Sequence, residues 1–155
     1  MRHTLSGLGI CPAITGAVFG AAAFLLSPAI PAQAESVQFK ASLSGAAEVP
    51  PNQSAGTGTV TATYDTASKQ LTWKGTFSGL SGPATAAHFH GPAEPGKNAG
   101  VLVWISTKGA NLTSPFEGSA TLTDEQASDL MAGRLYANIH TATNPGGELR
   151  GQLTK

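Results

Sequence analysis

Apolar and polar residues alternate along most of the chain beyond residue 36, and a period of two is the mark of a half-buried β-strand. VQFKASL (37–43) places Val37, Phe39, Ala41 and Leu43 on one face. GTGTVTATYD (56–65) alternates Val60, Ala62 and Tyr64 with threonines. Beyond the turn DTASK, QLTWKGTF (70–77) sets Leu71, Trp73 and Phe77 on one side, so these two runs predict a hairpin. AAHFH (86–90), VLVWIS (101–106) and FEGSATL (116–122) read as three further short strands, the second of them buried. RLYANIHT (134–141) and ELRGQL (148–153) flank the turn NPGG and predict a closing hairpin.

The helical signal is confined to TDEQASDLMAG (123–133). Thr123 is placed to cap, Gln126 to reach back as the other half of a capping box, and Gly133 to stop the helix. The expected fold is therefore all-β, with about eight antiparallel strands in a sandwich or barrel and one short helix near 124–132. The segment GPAEPGKNAG (91–100) predicts a long polar loop beside the histidines of AAHFH.

Composition changes this picture mainly at the N-terminus. The chain has 155 residues and opens MRH, then runs through the apolar stretch ITGAVFGAAAFLL (14–26) to Pro28, Pro31 and Ala32-Gln33-Ala34. A basic start, an apolar run and an A-x-A site form the pattern of a secretory signal peptide. The apolar run is shorter than the ~20 residues a membrane span needs. The expected organisation is a leader over 1–34, cleaved after Ala34, and one domain over 35–155, secreted or periplasmic and free of the membrane after cleavage.

The lone cysteine, Cys11, leaves with that leader, as do His3 and Arg2. The domain keeps three histidines, His88, His90 and His140, and eight Lys/Arg against nine Asp/Glu. A nearly neutral chain without a basic run argues against nucleic acid as a partner.

The chemistry lies in the histidines. Residues two apart on a strand share a face, so His88 and His90 project together while Phe89 points into the core. His140 lies on another alternating strand and shares a face with Tyr136 and Asn138. If the two faces meet, three imidazoles converge, a common donor set for zinc or copper with one position left open. The alternative is a set of hydrogen-bonded structural histidines.

Glu148 and Arg150 share a face after NPGG. They suit a structural ion pair, with an alternative in which Glu148 or Asn138 orients a histidine N–H. Glu48, in GAAEVPPN (45–52), is a candidate oxygen ligand or Arg150 partner. Tyr136, Glu148 and Glu48 are the candidate proton donors if the ion does chemistry. No nucleophile elbow, phosphate-binding glycine loop or H-E-x-x-H is present, and the absence of cysteine excludes a blue-copper site.

The order AAEVPP (46–51), AAHFHGPA (86–93) and AGRLYANIHTATNPGGELRGQL (132–153) resembles the CHRD domain, found in repeats in chordin and as single-domain bacterial secreted proteins. The resemblance spans about Val37 to Leu153. It implies an immunoglobulin-like β-sandwich or barrel. In chordin such domains belong to a secreted protein that binds growth factors, so a protein partner is one implied role.

The His-x-His motif is also similar to the copper-binding strand of Cu/Zn superoxide dismutases, which use an antiparallel Greek-key barrel. That similarity extends to His88 and His90. A complete dismutase site needs more histidines than this domain has. The expected function is thus binding of a single copper ion, or else zinc, by His88, His90 and His140. The alternatives are a metal-free structural or protein-interaction module and a single-metal redox enzyme. Enzymatic activity is not assigned.

Overall fold

The computed structural model describes residues 35–155, so the expected leader over 1–34 lies outside the described residues. All of the described residues fall within one compact unit of the chain. Eight strands follow in order: β1 (Ser36–Ser44), β2 (Thr57–Asp65), β3 (Gln70–Ser78), β4 (Ala84–His90), β5 (Val101–Trp104), β6 (Phe116–Thr121), β7 (Tyr136–Thr141) and β8 (Leu149–Gln152). A helix, α1 (Asp124–Met131), crosses between β6 and β7, and a single 3-10 turn spans Gly45–Ala47.

The strands form one antiparallel sheet in the order β5-β4-β7-β8-β1-β2-β3-β6. Consecutive strands pair in the hairpins β1–β2, β2–β3, β4–β5 and β7–β8. The pairs β4–β7, β1–β8 and β3–β6 arise from crossovers, as in a Greek key rather than a simple meander. The sheet curls until its distant parts meet. Trp73 on β3 meets Phe89 on β4 edge to face at 5.3 Å, although four strands separate them in the sheet order. Such a pair adds about 1 kcal/mol beyond the area it buries.

The alternation read from the sequence supplies the core. Phe39, Ala41, Leu43, Val60, Ala62, Leu71 and Trp73 point inward from β1–β3 and meet Ala87, Phe89, Ala137, Ile139 and Leu149 in one cluster. Two approaches within it need glycine. A Cβ on Gly118 would lie 2.6 Å from the Trp73 ring, and one on Gly75 would lie 2.3 Å from Phe116.

Helix α1 starts as expected. Thr123 Oγ1 accepts from the Gln126 amide at 3.2 Å, and Gln126 Oε1 accepts from the Thr123 amide at 3.0 Å. Gly133, at φ 72°, ends the turn. Arg134 then pairs with Asp129 and Leu135 enters the core, so β7 begins at Tyr136 rather than 134.

In β4 and β7 the simple inside-outside alternation fails. The last four residues of β4 and the first four of β7 are buried on both faces. The inner face packs on the core. The outer face lies beneath the 44–52 segment, the 91–100 loop and the 144–147 turn, and it carries polar side chains.

Candidate metal centre

That covered outer face is where the three histidines meet. On β4, His88 lies opposite Asn138 and His90 opposite Tyr136, while His140 lies opposite Ala86 two positions further along β7. His88 therefore has His90 two residues ahead on its own strand and His140 on the diagonal of the next strand. One donor nitrogen from each of the three lies within 4.8 Å of the other two. The ring centres of His88 and His140 are 5.0 Å apart, and those of His88 and His90 are 5.4 Å apart. His88 and His90 are buried and His140 is half-buried.

Backbone carbonyls orient two of the rings. His90 Nδ1 lies 3.0 Å from the Ala99 carbonyl, and His140 Nδ1 lies 3.0 Å from the Pro145 carbonyl. A carbonyl only accepts, so each Nδ1 carries the proton and each Nε2 presents a lone pair. The His140 Nε2 lone pair faces His88 Nδ1 at 3.2 Å. That separation suits a shared proton, and it also matches two imidazoles on one ion, which sit ~3–4 Å apart given metal–nitrogen bonds near 2 Å. His88 Nε2 and His90 Nε2 are buried and have no hydrogen-bond partner.

The surroundings keep the imidazoles neutral. Burial, reinforced by the charges His140 and His90 would carry, holds His88 down at about 4. Burial also lowers His90 and His140, against the opposing effect of their carbonyl partners. Neutral imidazoles are what metal ligation requires, since a proton and a metal compete for one lone pair.

The family model of the CHRD domain matches residues 39–153, from the first core phenylalanine to the last buried leucine. The chain belongs to the CHRD domain family. No curated protein and no solved structure matches it.

The other polar residues singled out in the sequence surround the histidines of this CHRD domain in ways that spacing did not predict. Glu148 and Arg150 do not pair with each other. Glu148 is fully buried and accepts from Ser54 Oγ at 2.7 Å, Ser81 N at 2.8 Å, Ser81 Oγ at 2.6 Å and Thr141 Oγ1 at 2.5 Å. Burial alone would raise its pKa, but these donors outweigh burial and hold it at about 2. Neither Glu148 nor Asn138 orients a histidine, because the carbonyls of Ala99 and Pro145 do so.

Arg150 donates to Asn98 Oδ1 at 2.9 Å and to the Lys97 carbonyl at 2.5 Å, and its guanidinium lies 3.5 Å over the Tyr136 ring. Glu48 accepts from Asn138 Nδ2 at 2.6 Å and is not among the clustered donors. Burial pushes it up to about 7, although Arg150, Asn138 and the Val49 amide pull it down. Tyr136 stacks parallel on His90 at 4.9 Å, and its hydroxyl accepts from the Ala99 amide at 3.1 Å.

Sequence reasoning missed the two orienting carbonyls, which no residue type announces. It also missed Trp104, which packs edge to face on His88 at 4.2 Å while remaining partly exposed. VLVWIS, expected as a buried strand, instead forms the outermost strand β5, with Val101 and Trp104 exposed. In β4–β5 register, the residue opposite His88 is Trp104.

Proposed function

We propose that this CHRD-domain protein binds a single metal ion through His88, His90 and His140, in a secreted or periplasmic setting, with copper as the first choice and zinc as the second. One observation carries the reading. Three neutral imidazoles offer nitrogens within 4.8 Å of one another, and the buried Nε2 of His90, the nitrogen left free by its Ala99 contact, lacks a partner. A buried polar atom without a partner costs about 1–3 kcal/mol, and an electrophile between the rings would relieve that cost. The carbonyl contacts of His90 and His140 resemble the outer contacts that usually fix ligating imidazoles. Imidazole suits both metals, and at a given nitrogen site copper generally binds more tightly.

The leader expected from MRH, the apolar run and Ala32-Gln33-Ala34 supports export. Among the described residues, no helix is long and apolar enough to cross a membrane.

The test is a titration of the protein and its His88→Ala variant with Cu(II), with Cu(I) under anaerobic reducing conditions and with Zn(II), following melting temperature and bound metal. A ligand that binds only the folded state at a hundredfold excess over its Kd adds about 2.7 kcal/mol. Stoichiometric uptake with a raised melting temperature, lost in His88→Ala, is the expected result. Equal behaviour of the two proteins would refute it.

A second reading has its own observation. Each Nδ1 already has a partner, in the His88–His140, His90–Ala99 and His140–Pro145 contacts, which suits a metal-free structural module that docks another protein. That reading expects no uptake.

A further inference from the structure

Among the described residues, no carboxylate contacts the ring nitrogens of the three imidazoles. Their Nδ1 partners are two backbone carbonyls and, for His88, another imidazole, so no carboxylate backs any of them. The carboxylates of Glu148 and Glu48 make their hydrogen bonds to Ser54, Ser81 and Thr141 and to Asn138, and neither touches a ring nitrogen. The charged side chain stacked against the cluster is a cation.

Arg150 is only 2% exposed and lies 3.5 Å over Tyr136, whose ring stacks on His90 at 4.9 Å with 4° between planes. Strand β8, which carries Arg150, and strand β4, which carries His90, flank β7 on opposite sides. The Tyr136 ring thus lies against both the guanidinium and the imidazole, with Arg150 and Tyr136 both buried. Arg150 makes no ion pair among the described residues, because its N–H groups go to the neutral Asn98 and Lys97 oxygens. Glu48 feels part of that charge from the other side, but the guanidinium still stands only one aromatic ring away from His90.

A positive environment penalises an incoming ion in proportion to the ion's charge, and desolvation rises faster still, as the square of that charge. Three neutral ligands leave a divalent ion with its full double charge. They leave a univalent ion with half as much. Divalent copper also favours a tetragonal set of donors, and this cluster offers three.

We propose that the histidine site holds copper in its cuprous state in preference to Cu(II) or Zn(II), and that Arg150 sets this preference through the stack on Tyr136. The inference rests on the metal-binding reading above. Arg150 acts here through its field and touches no ligand.

The experiment is a potentiometric titration of the copper-loaded protein against redox mediators, with Arg150→Met and Arg150→Lys alongside and folding checked by circular dichroism. The bound couple is expected above the aqueous Cu(II)/Cu(I) couple, which means that Cu(I) is held more tightly. Arg150→Met is expected to lower the Cu(I)-to-Cu(II) affinity ratio at least tenfold, about 59 mV for one electron, and Arg150→Lys to restore most of it. Zn(II) in excess is expected not to displace Cu(I).

A bound potential at or below the aqueous couple overturns the cuprous preference while leaving metal binding intact. Displacement of Cu(I) by Zn(II) does the same. A folded Arg150→Met variant with the wild-type ratio overturns the role of Arg150. Should that variant not fold, the wild-type potential still decides the preference. No uptake of either copper state would overturn the histidine site itself, and this inference with it.

Discussion

Replacing Glu148 is expected to be among the most damaging single changes available in the domain. Its carboxylate is fully buried and accepts four hydrogen bonds, two on each oxygen. Three of the four come from the 54 and 81 loops and the fourth from the end of β7, so one side chain holds three separate segments together. In Glu148→Ala all four donors lose their acceptor and a cavity opens. A single unpaired buried group costs about 1–3 kcal/mol, and the hydroxyls of Ser54, Ser81 and Thr141 can turn to water or to each other. The expected net loss is about 4 kcal/mol.

Glu148→Gln is expected to be milder, because its amide nitrogen has only one tolerable place. At Oε1 it would face the Ser81 backbone N–H, which cannot turn away. At Oε2 it would face two hydroxyls, which can rotate and accept. Loss of charge-assisted bonding then leaves a cost of about 2 kcal/mol.

The pH dependence follows with a definite sign. The folded carboxyl sits at about 2 against an ordinary 4.5, so its contribution is complete above pH 4.5 and is lost as pH falls toward 2. Urea melts of the three proteins at pH 7 and pH 3 supply the assay. The gap between wild type and Glu148→Gln should narrow at pH 3. A Glu148→Ala loss below about 1 kcal/mol at pH 7, or a gap that does not narrow, would refute the account.

Other expectations concern the histidine shell and the core. Tyr136→Phe removes the hydroxyl that anchors the Ala99 amide, and it should weaken copper affinity by about tenfold with little change in melting temperature; isothermal titration measures this, and an unchanged Kd would count against the anchoring role. His140→Ala should abolish the metal-dependent rise in melting temperature, and a retained rise would point to a site elsewhere. Gly118→Ala drives a Cβ to 2.6 Å from Trp73 and should cost about 1–3 kcal/mol, read from denaturant midpoints. Copper binding should quench the fluorescence of Trp104, which packs on His88, and a Trp104→Phe variant should remove most of that response.

The sequence was informative wherever local period decided the outcome. Val37 to Leu43, Val60 to Tyr64 and Leu71 to Trp73 became inward-facing strand residues because each strand has one wet face and one dry one. The Thr123–Gln126 box was legible for the same reason, since both partners lie within one turn.

Period says which residues share a face but not whether that face is open. Glu148 and Arg150 suit a pair by spacing because they stand two residues apart on one face of a strand. Both are instead buried under loops distant in sequence, and each found nearer partners there. Glu148 takes donors from residues 54 and 81, Arg150 takes acceptors from 97 and 98, and neither offset leaves a trace in local spacing. The convergence of His140 on His88 was likewise visible as two faces, but only the β4–β7 register brought the faces together.

The atoms that aim His90 and His140 belong to the main chain. Every residue type has a carbonyl, so exchanging Ala99 for another amino acid leaves its oxygen in place, provided the loop keeps its path. The ring orientations are thus buffered against point substitution at the contact position and exposed to changes of loop length. One residue inserted between Gly91 and Ala99, or between Thr141 and Pro145, would displace a carbonyl that no side-chain exchange removes. In a lineage carrying this domain, drift in loop residues and drift in loop length would then have very different consequences for the imidazoles.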